Sequence, residues 1–297
     1  MRTVYLGTSD FAVTVLERLA DSPWRPGLVI TRPDRPKGRG RKLSPPPVAT
    51  AARDLGIEVD QPDSVNSDEA RARIAALDPE TMLICAFGAL IKEPLLSDHE
   101  WLNVHPSLLP RWRGAAPIER AIEAGDERTG ISIMRPTAEM DAGPVCLQAD
   151  EAVRPDDTYG TLAPRLARLG GDLLVEALET RPTFEEQADD GVTIADKIAA
   201  EDRRLDPART PAELERRVRA LTPHIGAWVE LPGGERMGVL GARAAEDEMD
   251  PGRLKADNGR LLYGCSGGSL ELVEVKPPGG RAMDAGAWLR GHAGSLA

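Results

Sequence analysis

The chain has 297 residues, 41% of them hydrophobic and 29% charged, with 37 basic and 48 acidic side chains for a net charge of −11. Such a length suits two domains better than one, and no apolar run approaches the roughly 20 residues of a helical membrane span. The acidic balance excludes a general polyanion binder, so any contact with nucleic acid has to come from a local basic patch. Cys85, Cys146 and Cys265 are far apart and none forms a C-x-x-C pair. An odd, sparse set fits buried thiols in a reducing cytoplasm better than a disulfide framework or a zinc site. The first residues resemble a strand followed by glycine and lack the apolar stretch of a signal peptide.

Residues 3–6 read as a buried strand, Gly7-Thr8-Ser9-Asp10 as a turn, and residues 11–19 as a helix with Phe11, Val15 and Leu19 at helical spacing and Asp10 as candidate cap. Strand, turn and helix in that order predict a parallel α/β sheet. Of a G-x-G-x-x-G dinucleotide fingerprint only Gly7 is present, which leaves a nicotinamide or flavin site little support. A second strand, residues 28–31, runs into residues 31–42, which carry six basic side chains and one acidic. Pro and Gly predict a mobile, irregular loop there. It is either a solvated loop or an arm that tracks phosphates; so concentrated a patch in an acidic protein favours the arm. Ser44-Pro45-Pro46-Pro47 would stiffen its exit. Next come a helix at 48–55 stopped by Gly56, a strand at 57–59, a helix at 69–77 and a fully buried strand at 81–87. Gly88-Ala89-Leu90-Ile91 lies just past that strand's carboxyl end, the edge where open α/β sheets bind ligands. These residues either wall a pocket for a flat ring or belong to the core, and the residues alone slightly favour core.

Residues 100–105 form the next strand, so Asn103 and His105 emerge on one face, and Pro106 ends it. An amide and an imidazole at a strand end suit the stabilisation of developing negative charge. The alternative is a polar strand edge with His105 bonded to a turn. A helix at 115–124, ended by Gly125-Asp126, and a strand at 129–135 lead to a Gly/Pro turn carrying Asp141. A carboxylate can be aimed from such a turn, although aspartate is also an ordinary turn former. Residues 145–148 start a returning strand and 158–180 form a long helix. From 181 to about 226 the chain reads as a partly folded linker with a helix at 212–221. Short β-like runs at 227–231, 236–240, 260–263 and 269–275, broken by glycines, predict a small all-β barrel.

Asn103, His105, the run Ser107-Leu108-Leu109-Pro110-Arg111-Trp112-Arg113-Gly114-Ala115-Ala116-Pro117-Ile118 and Met140-Asp141-Ala142-Gly143 together resemble the methionyl-tRNA formyltransferase family. Gly7-Thr8-Ser9-Asp10-Phe11-Ala12, Pro33-Asp34-Arg35-Pro36-Lys37-Gly38-Arg39-Gly40, Lys197-Ile198 and Leu205-Asp206 extend the resemblance over nearly the whole length. It implies a Rossmann-like formyltransferase domain at 1–180, an interdomain linker at 181–225 and an oligonucleotide-binding-like β-barrel at 226–297. The implied activity transfers the formyl group of 10-formyltetrahydrofolate to the α-amine of methionyl-initiator tRNA, with no metal, by a cytoplasmic monomer free of membrane. Asn103, His105 and Asp141 fall on the family's catalytic positions. The resemblance assigns folate binding to Phe87, Gly88, Ala89, Leu90, Ile91, Ser107, Leu108, Leu109, Pro110, Thr137, Ala138 and Met140. It assigns tRNA binding to Arg35, Lys37, Arg39, Arg41 and Lys42, and the mouth for the aminoacyl end to residues 111–114.

The chemistry suits those residue types. Amine attack on the formyl carbon makes an oxyanion, to which Asn103 and a charged His105 can donate, while Asp141 supports the imidazolium and accepts the amine's proton. Two features depart from the family. The linker ends Thr222-Pro223-His224-Ile225-Gly226 where relatives often carry a second proline, and residues 226–297 hold ten acidic against eight basic side chains. A formyltransferase acting on a sugar-nucleotide amine or on glycinamide ribonucleotide would use the same trio, since fold and chemistry do not fix the acceptor. The basic segment at 31–42 and Arg111-Trp112-Arg113-Gly114 favour tRNA. A non-catalytic RNA-binding protein is disfavoured by the intact trio and the acidic barrel.

Overall fold

A computed structural model describes residues 2–37, 40 and 42–292. Arg39 and Arg41, assigned above to tRNA, and the side chain of Lys37 lie outside the described residues. In chain order the elements are β1 (Thr3–Gly7), α1 (Asp10–Ala20), β2 (Leu28–Ile30), β3 (Arg35–Lys37), β4 (Lys42–Ser44), α2 (Pro47–Asp54), β5 (Glu58–Asp60), α3 (Asp68–Leu77), β6 (Thr81–Cys85) and β7 (Trp101–His105). There follow β8 (Arg113–Gly114), α4 (Pro117–Ala124), β9 (Arg128–Met134), β10 (Val145–Ala152), α5 (Tyr159–Thr180), β11 (Ile194–Ala195) and α6 (Pro211–Leu221). The chain ends with β12 (Ala227–Glu230), β13 (Arg236–Ala245), β14 (Leu254–Asp257), β15 (Arg260–Cys265), β16 (Gly268–Lys276), β17 (Met283–Asp284) and α7 (Ala285–His292). Two units separate by their internal contacts, with the break in the later chain between Ile194 and Ala195; residues 115–128 and 153–162 group with the second.

The first unit is built on a seven-stranded sheet ordered β10-β9-β7-β6-β1-β2-β5. Pairs β1–β2, β2–β5, β1–β6 and β6–β7 are parallel, and β9 runs antiparallel to β7. Strand order reverses between β1 and β6, so the turns after those two strands flank the crevice where such sheets take ligands. Thr8 Oγ1, after β1, donates to the carbonyl of Phe87, after β6, at 2.7 Å. Gly7 is required where β1 meets α1, because a Cβ there would lie 2.8 Å from the Tyr5 ring and 2.9 Å from Ala12. Val4, Leu6, Leu28, Ile30, Met82 and Trp101 form the apolar core on one side. Tyr5 donates its hydroxyl to the carbonyl of Ala12 at 2.6 Å, and burial pushes the neighbouring Cys85 thiol up to about 12, leaving it unreactive.

Helix α5 carries Gly170 and Gly171 in its middle, where glycine costs about 1 kcal/mol relative to alanine. A Cβ at Gly170 would meet Val104 of β7 at 2.8 Å, and one at Gly171 would meet Arg18 at 2.9 Å. Gly170 therefore lets α5 pack close against the strand that carries Asn103 and His105, and Gly171 lets it pack close against α1.

Three local expectations need correction. Ser9, not Asp10, occupies the N-cap of α1, its side chain makes no capping bond, and Asp10 is the first helical residue. The segment expected to be irregular contains a short antiparallel hairpin, β3 with β4, in register Pro36↔Leu43. A two-stranded ribbon tolerates proline on its free edge. Strand β6 stops at Cys85, because Ala86 turns to φ +45 and takes Phe87 into the following loop.

The second unit has a six-stranded sheet in which β12-β13-β16-β15-β14 form a path and β17 pairs with β16, all antiparallel. Its core gathers Leu205, Leu214, Val229, Val239, Leu272 and Trp288. Helix α6 opens with a reciprocal capping box between Thr210 and Glu213, and the Thr210 backbone N–H pulls the Glu213 carboxyl down to about 2. Helix α7 escaped the sequence reading: it is eight residues long and two are glycines, so it owes its helicity to buried Trp288 and Leu289 rather than to propensity. His224 lies with Nε2 2.8 Å from the buried Glu119 carboxylate and its ring stacked on Tyr159, a structural role. Among the described residues no helix is long and apolar enough to cross a membrane.

Candidate active site

Strand β7 has buried Trp101, Leu102 and Val104 facing the sheet's interior layers, leaving Asn103 half-buried and His105 only 4% exposed at the carboxyl end. Two loops meet there. The first, residues 106–116, leaves β7 and supplies the carbonyl of Trp112, 2.9 Å from His105 Nε2. A carbonyl only accepts, so Nε2 carries a proton and Nδ1 is the nitrogen left for other partners. The second loop, between β9 and β10, brings Asp141 Oδ2 to 3.6 Å from Nδ1, an ion-pair distance longer than a hydrogen bond. That same oxygen accepts the Gly114 N–H at 2.9 Å. Asn103 Nδ2 spends its donor on the thioether of Met134 at 3.5 Å, a weak acceptor that a better one would displace.

The structure thus brings Asn103, His105 and Asp141 together, with donors and one carboxylate converging on a single edge. Backbone geometry makes the convergence possible. Asp141 has φ +51 and Trp112 φ +64, the left-handed region that non-glycine residues seldom occupy. Gly143 must be glycine, since a Cβ would lie 2.0 Å from the carbonyl oxygen of Arg135.

The residues assigned to folate divide by exposure. Phe87 and Ile91 are buried in the core, whereas Leu90 is 59% exposed and Met140 64% exposed. Gly88, Thr137 and Ala138 are exposed, and Ala89, Leu108 and Pro110 are half-buried. Ser107 and Leu109 are buried. Exposed leucine and methionine side chains on loops at a ligand-binding edge suit a flat aromatic ring. Arg35 and Lys42 are exposed on the β3–β4 hairpin. A separate cleft of about 560 Å³ opens at the opposite edge, where β6 and β7 begin, lined by Thr81, Trp101, Arg135, Cys146, Arg181 and Phe184 among others. None of the trio lines it.

Sequence reasoning missed the side chains that hold these loops. Ser132 on β9, fully buried, donates to the carbonyl of Ser107 at 2.7 Å and accepts from the Leu109 N–H at 3.0 Å and Gln148 Nε2 at 2.8 Å. Asn66 donates to the carbonyl of Leu90 at 2.9 Å and accepts the Lys92 N–H at 2.8 Å, fixing the loop after β6. A serine between Ile131 and Ile133 in a buried strand was the one available signal. Replacing Ser132 by alanine strands a buried N–H and a buried carbonyl, so urea denaturation is expected to show a loss of about 1–3 kcal/mol. An unchanged midpoint would mean that water takes over both bonds.

A family model described as formyl transferase matches residues 1–178, and one described as the formyl transferase C-terminal domain matches residues 197–293. The methionyl-tRNA formyltransferase of Ruegeria pomeroyi is 44% identical over 295 residues, spanning 98% of this chain and 97% of that one. Among solved structures, a methionyl-tRNA formyltransferase from Clostridium thermocellum superposes with a TM-score of 0.61 at 15% identity, covering 88% of this chain and 96% of that one. HypX from Aquifex aeolicus, in complex with tetrahydrofolic acid, superposes with a TM-score of 0.64 at 17% identity over 97% of this chain, which spans 47% of HypX. At such identities these two structures speak for the fold, while the matched domains and the 44% relative establish the family. The chain belongs to the methionyl-tRNA formyltransferase family.

Proposed function

We propose that this chain moves the formyl group of 10-formyltetrahydrofolate onto the α-amine of methionyl-initiator tRNA, with Asn103, His105 and Asp141 as the catalytic residues. The observation that carries the reading is the placing of Asp141 Oδ2 3.6 Å from His105 Nδ1 at the carboxyl end of β7, with Asn103 two residues earlier on the same strand face. The neutral amine attacks the formyl carbon, forming a C–N bond and placing negative charge on the formyl oxygen. Asn103 turns its amide from Met134 to that oxygen, and a proton on His105 Nδ1 provides the second donor. Asp141 takes the proton shed by the amine, directly or through water. Collapse breaks the bond to N10 of the folate, and that proton ends on N10, so charge and atoms balance. Trp112 supports the step by engaging Nε2, which leaves Nδ1 as the ring atom turned to substrate.

The folate lies in this reading against Phe87, Gly88, Ala89, Leu90 and Ile91, residues 107–110 and Thr137, Ala138 and Met140. Exposed Leu90 and Met140 supply the apolar contacts. The acceptor stem meets Arg35, Lys37, Arg39, Arg41 and Lys42, a basic cluster in a protein of net charge −11. Residues 1–180 form the catalytic domain, 181–225 the linker and 226–297 the C-terminal domain of a cytoplasmic monomer. An acceptor end with an unpaired or easily melted first pair costs least to distort, which favours initiator over elongator tRNA.

The decisive assay is transfer of radiolabelled formyl to methionyl-tRNA, initiator and elongator compared; transfer to neither removes the reading. Glycinamide ribonucleotide and an amino-sugar nucleotide serve as competing acceptors. The variant Arg39→Ala is expected to lower kcat/KM for tRNA about 10- to 100-fold, the loss of one charge-assisted contact, while the folate KM holds. Unchanged tRNA kinetics would remove the basic segment from the interface.

A further inference from the structure

The hydrogen-bond partner of the His105 ring, Trp112, and its ion-pair neighbour, Asp141, both have left-handed backbone. Neither is glycine, so each conformation needs support from outside its own loop. That support comes from residues 185–193, the polar stretch after α5. Glu185 exchanges both backbone hydrogen bonds with Val145, at 2.8 and 2.9 Å, and so lays the stretch along the end of the Asp141 loop. Gln187 then spans the two loops: its Nε2 donates to the carbonyls of Asp141 at 2.7 Å and Gly143 at 2.8 Å, and its Oε1 accepts from Arg113 Nε at 2.9 Å. Thr193 Oγ1 accepts the Trp112 N–H at 2.9 Å, and the Thr193 carbonyl accepts the Arg113 N–H at 2.9 Å. One short segment therefore clamps both strained residues through side chains.

We propose that Gln187 and Thr193 are positioning residues for formyl transfer, holding the Trp112 carbonyl and the Asp141 carboxylate in register on either side of the His105 ring. The proposal rests on the reading of Asn103, His105 and Asp141 as the catalytic trio. A merely structural role fits the surroundings poorly. Residues 185, 186 and 188–192 are all exposed, so the segment buries little apolar surface, and what Gln187 adds is three directed bonds. Those bonds end on the residues that orient the catalytic side chains and not on the core.

Three variants of the full chain test it. Gln187→Leu removes all three bonds at similar volume, Gln187→Glu keeps the Arg113 partner but turns a carboxylate toward two carbonyls, and Thr193→Val removes only the acceptor for the Trp112 N–H. Glu186→Ala, on an exposed neighbour, is the control. A misplacement near 1 Å at the reacting groups costs on the order of 100-fold. The expected result is a fall of that order in kcat for both Gln187 variants and a smaller fall for Thr193→Val, with KM for folate and tRNA within about twofold of wild type. A second readout needs no activity: the ring resonances of His105 in the unliganded protein, assigned with His105→Ala, are expected to move in all three variants and to stay put in the control. Wild-type protein that fails to formylate methionyl-tRNA would sink the functional reading alone, and the ring signals would still report on the clamp. The proposal itself is overturned by unmoved ring signals, by kcat within threefold of an active wild type, or by losses that track a fall in melting temperature.

Discussion

His105→Ala is expected to lower kcat by about 10²–10³, the size of effect that follows removal of one preorganised donor from an oxyanion site. The ring is 4% exposed and its Nε2–H is held by Trp112, so the imidazole is fixed in place. KM for both substrates is expected to stay near wild type, because the donor acts on charge that exists only in the transition state. The substitution also removes the hydrogen bond between the ring and the Trp112 carbonyl, for a stability cost of about 0.5–1.5 kcal/mol. Circular dichroism and a melting curve separate that loss from the catalytic one. Turnover near wild type in a folded variant would remove His105 from the mechanism. His105→Gln is the informative companion: its amide can still donate to one partner but not to both, so kcat is expected to fall while the melting temperature recovers.

What could be read from sequence followed the range of the interactions. Asn103 and His105 are two apart in a strand, and the two-residue period needs no knowledge of the rest of the molecule. The parallel sheet, its strand positions and the carboxyl-edge placement of residues 88–91 were likewise local patterns repeated along the chain. Asp141 could be recognised as a turn residue, but its φ of +51 and its bond to Gly114 come from a contact 27 positions away. Gln187 and Thr193 gave no signal at all. They lie in a polar stretch whose composition matches a solvated connection, and their bonds run from side chain to backbone, which leaves no periodicity to detect. Gly143 reads as one more turn glycine until the Arg135 carbonyl is seen to occupy the place of its Cβ. The core was thus legible because burial imposes pattern, whereas the clamp was not because directed polar bonds do not.

Asp141→Asn is expected to separate stability from activity at one position. Asparagine is among the residues best suited to the left-handed region, so the backbone at φ +51 stays as it is. Its side-chain oxygen can still accept the Gly114 N–H that Asp141 Oδ2 accepts at 2.9 Å, and its carbonyl still receives the Gln187 amide. The folded protein is therefore expected to keep its stability to within about 0.5 kcal/mol by denaturant titration. What disappears is the negative charge 3.6 Å from His105 Nδ1, the carboxylate proposed as the base. Losing a positioned general base typically costs about 10²–10⁴ in rate, so kcat is expected to fall by that order. Single-turnover kinetics place the loss: it belongs in the transfer step, with folate and tRNA binding intact. A variant that turns over within threefold of wild type would show that solvent, not Asp141, takes the amine's proton. If activity and stability fall together, the carboxylate serves the loop and the assignment of the base has to move. The conformation, tolerated by aspartate and asparagine alike, is what makes the two outcomes distinguishable.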